Sequence, residues 1–237
     1  MARPRSDIAQ RIVSAAAERF LHDGVDGASL RRIALAAETN LGMVYYYFPT
    51  KDDLFLAVVE RHYAPLSQAI IEAIAAGPSF EQRVRALYDR FGALSDEEFV
   101  VVRLVLRESL VSSERLTRVF ERMMQGHTPA MLELLTDGIA SGDVAPDVHP
   151  VAALVTMAVL AVAPQVMLRR VAASVKAVEL PTPAEMAKHL ATVALRGVGA
   201  PGVPVRGEEP ARRSPPSPEA SPPTAKGRPS AARRRPR

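Results

Sequence analysis

Two helix-starting residues, Ser29 and Asn40, lie so close together that only short helices fit around them, and this punctuation constrains the fold more than any other feature of the chain. A third start, Thr50, follows directly on Pro49. Ser, Asn and Thr favour such positions because their side-chain oxygens accept from the free N–H groups that open a helix. Behind Ser29, the apolar residues Leu30, Ile33, Ala34 and Ala37 recur at helical spacing. Only Glu38 and Thr39 remain to turn the chain before Asn40 opens the next helix. Helix, short turn and helix within about twenty residues is the helix-turn-helix layout.

In the second of these helices, Val44 and Phe48 are four residues apart and are predicted to face inward. Gly42, Met43 and Tyr46 then fall on the opposite side. Tyr45, Tyr46, Tyr47 and Lys51 crowd hydroxyl donors and one cation onto a short surface, which suits phosphate contacts while a helix lies in a DNA groove. Three consecutive tyrosines cannot all be core on one helix. Gly42 is either a helix-weakening residue, costing roughly 1 kcal/mol against alanine, or a bare stretch of backbone that approaches base edges closely. Met43 offers either an apolar contact to a thymine methyl or no particular contact. After Pro49, Thr50 caps a third helix and Asp53 is placed to return a bond to the cap. Lys51 is its first residue, beside N–H groups that bind anions; the alternative is an ordinary solvated lysine.

This segment resembles the DNA-binding domain of the TetR family of bacterial transcriptional regulators, over roughly residues 6–63. The likeness starts in a first helix where Ile8, Ile12, Ala16 and Phe20 repeat every four residues before Gly24 ends it. It continues through Ser29, Ile33, Ala34, Gly42, Tyr45, Phe48, Pro49, Thr50, Lys51 and Leu54. The resemblance implies phosphate contacts from Ser29, Tyr45 and Lys51, and base reading by the start of the second helix of the motif. The candidate DNA-binding set is Ser29, Arg31, Asn40, Leu41, Gly42, Met43, Tyr45, Tyr46 and Lys51. Where the family usually has Gly-Val-Ser at the turn, this chain has Glu38-Thr39-Asn40, so Glu38 must turn without glycine's freedom.

The net charge of +4 is unevenly spread. Residues 200–237 hold nine Lys/Arg against three Glu and half of the twenty prolines, so the basic character belongs to the tail and not to the folded body. Such a segment cannot bury a core and is predicted to be disordered, adding non-specific DNA affinity or mere solubility. With no cysteine there is no disulfide framework or thiol chemistry. Ser6 to Phe20 is amphipathic and charged, unlike the apolar core of a signal peptide.

Beyond residue 64 helix starts recur and strand patterns do not. Ser79–Gln82, Ser95–Glu98 and Thr182–Glu185 have the spacing of capping boxes. Gly126 and Pro129 predict a break inside the helical stretch 113–141, and Pro65 a kink in the helix that begins at Lys51. Met186, Leu190, Val193 and Gly197 are expected on one stripe of the last helix. Val148 to Leu168 contains no Asp, Glu, Lys or Arg and is long enough to span a bilayer, but its small Ala and Val side chains favour a buried or dimer-interface helix.

The expected fold is all-α: an N-terminal three-helix helix-turn-helix DNA-binding domain (1–50), a C-terminal helical effector-binding and dimerisation domain (51–199), and a disordered basic Pro-rich tail (200–237). As the resemblance implies, a homodimer binds a palindromic double-stranded DNA operator as a cytoplasmic repressor and is released by a small, apolar effector, without a membrane. Candidate effector residues are Arg103, Arg107, Met123, His127, Met131 and Met157; candidate dimer residues are Leu154, Met157, Leu160, Met186, Leu190 and Val193. The five scattered histidines form no HExxH, and there is no Walker loop or GxSxG, so neither an enzyme nor a metal or cofactor is expected. The competing readings are a helical ligand-binding or catalytic protein without operator binding, and an activator of the same fold.

Overall fold

The computed structural model describes residues 5–111, 113–172 and 179–198, and the expectation of a disordered tail lies outside them. Ten helices are found among the described residues: α1 (Arg5–Asp23), α2 (Leu30–Ala36), α3 (Leu41–Tyr47), α4 (Lys51–Ala75), α5 (Phe80–Gly92), α6 (Glu98–Glu108), α7 (Ser113–Met124), α8 (Thr128–Ser141), α9 (Pro150–Ala172) and α10 (Pro183–Val198). The all-α architecture agrees with the sequence. The cap spacing also produced its bonds: Gln82 N–H donates to Ser79 Oγ, Glu98 N–H to Ser95 Oγ and Glu185 N–H to Thr182 Oγ1.

The first three helices close over Ile12, Ala16, Phe20, Ile33, Ala37 and Val44, all buried. The start of α4 supplies the rest of that core through Leu54, Phe55 and Val58, and Phe55 meets Phe20 edge to face with ring centroids 6.1 Å apart. Each such side chain contributes roughly 1.5–3 kcal/mol when taken from water. The core is therefore continuous across residue 50. Further along, α4 packs on α5, α6, α7 and α8, and α10 lies against α5 and α9.

α4 runs unbroken through Pro65, and α9 through Pro164. The predicted break falls between α7 and α8, at residues 125–127. Gly126 is required there, because a Cβ would sit 2.1 Å from the Tyr63 hydroxyl. That hydroxyl lies 3.1 Å from His127 Nδ1 and is buried with it. Desolvation pushes His127 down to about 4. His62, also buried, is pushed down by desolvation and by Arg61.

A depressed histidine contributes stability that is complete above its unfolded value of about 6.5 and is lost as pH falls towards the folded value. His127→Phe should therefore flatten the decline in stability between about pH 6.5 and 4, by roughly 1.4 kcal/mol per pH unit for one proton. Urea unfolding at stepped pH measures it. A slope identical to that of the unaltered chain would mean that His127 takes up its proton in the folded state as well.

Candidate nucleic-acid interface

α2 opens at Ser29, whose Oγ accepts from Arg32 N–H at 3.5 Å. It closes through two bonds, Glu38 N–H to Leu35 O and Thr39 N–H to Ala34 O, which form the Schellman arrangement. Glu38 takes the left-handed position of that turn with φ +49°, where glycine is usual. A side chain in this conformation costs roughly 1–2 kcal/mol. A bond from Arg11 to the Glu38 carboxylate, at 3.2 Å, ties the turn back to α1. The Gly-to-Glu departure is thus accommodated by strain and an anchor, and the two-residue turn keeps its geometry.

Asn40 Oδ1 accepts from Met43 N–H at 3.0 Å and fixes the start of α3. Val44 is fully buried and Phe48 packs against the core, as their spacing predicted. Tyr45 is 50% exposed and Tyr46 66%, while Leu41 and Met43 are half-buried and Gly42 is exposed. Gly42 and Tyr46 are thus exposed as expected and Met43 only in part, with Tyr46 standing edge-on to Tyr47 at 5.1 Å. Arg31 is exposed at the start of α2.

Thr50 and Asp53 form a complete capping box at the start of α4. Lys51 is not simply solvated: its Nζ donates to Asp26 O at 2.9 Å in the loop between α1 and α2. An ammonium has three donors, so this bond fixes the lysine and leaves two N–H groups for a phosphate.

The loop that holds Lys51 is itself held by a group that sequence reasoning missed. Arg115, on α7, donates to both Asp26 oxygens at 3.0 and 2.9 Å, to Asp52 Oδ1 at 3.3 Å and to Glu108 Oε2 at 2.6 Å. Both Arg115 and Glu108 are buried. Hydrogen bonding to Arg115 holds the Asp26 carboxyl below the usual range.

Arg107, expected near an effector, instead reaches the end of α1, donating to Leu21 O at 3.1 Å. Met131 and Met157 are core, and Tyr88 donates to the Met157 carbonyl at 3.1 Å. Met123 is half-buried against the core, and His127 is engaged with Tyr63. Arg103 lines a cleft of about 260 Å³, together with Asp96, Phe99, Val166, Arg169 and Arg170.

Among the dimer candidates, Leu190 and Met157 are buried within the chain, Leu154, Leu160 and Met186 pack against its core, and Val193 is exposed. The inward stripe of α10 is Ala187, Leu190, Ala191, Ala194 and Leu195, displaced from the one expected. On α9, Ala153, Met157, Ala161, Gln165 and Leu168 face inward. Its outward face carries Val151, Val155, Val159 and Met167, all more than half exposed. Among the described residues α9 is the one helix long and apolar enough to cross a membrane.

A capped helix-turn-helix held on an all-helical body defines a DNA-binding class of protein. Residues 12–58 match the bacterial regulatory proteins of the tetR family. An uncharacterized HTH-type transcriptional regulator of Pseudomonas putida, TtgW, is 30% identical over 49% of this chain and 88% of its own length. The chain belongs to the TetR family. The HTH-type transcriptional activator FasR of Mycolicibacterium smegmatis is 25% identical over 56% of this chain and 61% of its own length, so the chain spans about three fifths of that relative. The fatty acid degradation regulator FadR of Bacillus halodurans has the same fold, with a TM-score of 0.65, 18% identity, and coverage of 83% of this chain and 97% of its own.

Proposed function

We propose that this protein is a cytoplasmic homodimeric transcriptional regulator that occupies a palindromic operator and responds to a small effector. The exposed Gly42, Tyr45 and Tyr46 on α3, set over the buried Val44, carry that reading. An α3 of seven residues reads only a few base pairs, so specificity needs two copies on half-sites about one helical turn, ~34 Å, apart. The valine face of α9 supports pairing with a second copy and not insertion in a membrane, because the opposite face of the same helix is packed against α5, α8 and α10. Residues 1–50 read DNA together with Lys51 at the start of α4, 51–199 pair and sense, and 200–237 add charge. Occupancy of an operator blocks transcription, which makes repression the simplest outcome; the activator FasR among its relatives supplies the alternative.

Selection of bound DNA from a random duplex pool tests this directly. A palindrome is expected, and recovery of no preferred sequence would overturn operator reading. Lys51→Ala should weaken binding to all duplexes alike and lower the salt slope by about 1. Tyr46→Ala should instead change the ranking of operators. An unchanged slope would remove Lys51 from the phosphate contacts, and an unchanged ranking would place base reading elsewhere.

A further inference from the structure

The cleft between the start of α6 and the end of α9 has a chemistry that an apolar effector does not explain. Arg169 is fixed there by Asp96 Oδ1 at 3.1 Å and by Leu94 O, and its guanidinium stacks over the Phe99 ring at 4.4 Å. Its Nε is buried with no hydrogen-bond partner. Arg103 and Arg170 line the same cleft and make no ion pair among the described residues. Asp96, the one acid in the lining, is already engaged by Arg169.

Arg103 is half-buried and Arg170 exposed at the cleft, and with Asp96 engaged by Arg169 these two guanidinium groups face it without a carboxylate among the described residues. A planar guanidinium fork matches a carboxylate with two parallel hydrogen bonds. Val166, half-buried, and what little of Phe99 is left exposed beneath Arg169 supply apolar wall beside the cations. At about 260 Å³ the cleft, open to solvent, has room for the charged end and part of the body of a small ligand.

We infer that this cleft binds a small carboxylate with an apolar body, its carboxylate held by Arg103 and Arg170 and its body laid against Phe99 and Val166. The inference deepens the proposed response to an effector by naming the ligand's chemical class. It is tested on the full chain without DNA, so that its failure leaves operator reading standing.

Isothermal titration calorimetry is run with octanoate, benzoate, 1-octanol and inorganic phosphate, at low and high NaCl. Either or both carboxylates are expected to bind at one per chain, with affinity falling as salt rises, and octanol and phosphate at least tenfold more weakly. Arg103→Gln and Arg170→Gln should each weaken carboxylate binding at least tenfold. The thermal midpoint of each variant reports that it folds, and neither arginine has an ion-pair partner among the described residues. Failure of both carboxylates to bind, octanol or phosphate binding as tightly as they do, or affinities unchanged in both variants would each overturn the assignment.

Discussion

Arg115→Ala is expected to destabilise the folded chain by about 3–5 kcal/mol, the range found when one partner of a buried ion pair is removed. The reason is what the substitution leaves behind. Glu108 is 2% exposed and would keep a buried carboxylate without its closest counter-charge. Asp26 and Asp52, on two other elements, would face each other across the gap with their shared donor gone. A loss of that size in a chain of this length lowers the thermal midpoint by on the order of 10 °C. Adding Glu108→Gln to the alanine variant removes the stranded charge and should recover part of the loss. If the single variant melts with the unaltered chain, the cluster contributes no net stability. The pH dependence carries a second signature. Because Arg115 lowers the Asp26 carboxyl, its contribution is present above the unfolded value of about 3.9 and disappears as pH falls below it. The alanine variant should lack that part of the acid sensitivity.

Arg115 also connects the reading head to the body. It fixes Asp26, whose carbonyl holds Lys51, while Glu108 at the end of α6 holds Arg115 from the other side. One residue before Glu108, Arg107 grips the end of α1. The last turn of α6 is thus bonded both to α1 and, through Arg115, to the loop beside Lys51, and the first turns of the same helix line the arginine cleft. Rigid elements of this kind carry coupling between distant sites when they have two arrangements that each site biases.

What could be foreseen here followed from local chemistry. Ser29, Asn40 and Thr50 declare helix starts because each capping oxygen bonds a backbone N–H three residues away. Val44 and the tyrosines sorted themselves because a short helix that ends in three large phenols can bury few of its positions, and Val44 is the one α3 buries. Arg115 gave no such signal, since Asp26 and Asp52 are 89 and 63 residues away along the chain. Arg107 read as a cavity residue for the same reason: its partner is a backbone carbonyl, which any sequence offers. α9 failed differently. A helix that is apolar on every side has no periodic contrast, so nothing in its sequence separates the stripe through Met157 from the stripe through Val155. On α10 the inward positions are filled largely by alanines, which pack closely against α5, while Val193, expected on one stripe with Leu190, lies outward. For instance, a Cβ on Gly92 of α5 would lie 2.7 Å from the Ala187 methyl, an approach that only small residues permit.

Val155→Glu should separate the proposed dimer into single chains while leaving each chain folded. Val155 is 57% exposed and lies between Val151 and Val159 on the outward stripe of α9, so a carboxylate there is solvated in the isolated chain and costs its fold little. In a two-fold pair the same face meets its copy, and the substitution enters twice. Each carboxylate then loses water without gaining a partner, and the two repel if the symmetry axis passes near them. A dissociation constant raised at least 100-fold, corresponding to ~2.7 kcal/mol, is the expected result. Sedimentation equilibrium at micromolar concentration reads the mass, and the unfolding midpoint checks the chain itself. Binding to a palindrome should fall to the weak level of a lone half-site, because the two reading heads are no longer joined. A variant that keeps the mass of a pair would place the contact on another face and remove α9 from the interface. If instead the unaltered chain sediments as a single molecule and floats with lipid vesicles, the valine stripe faces a bilayer, and the two-headed grip on DNA loses its physical basis.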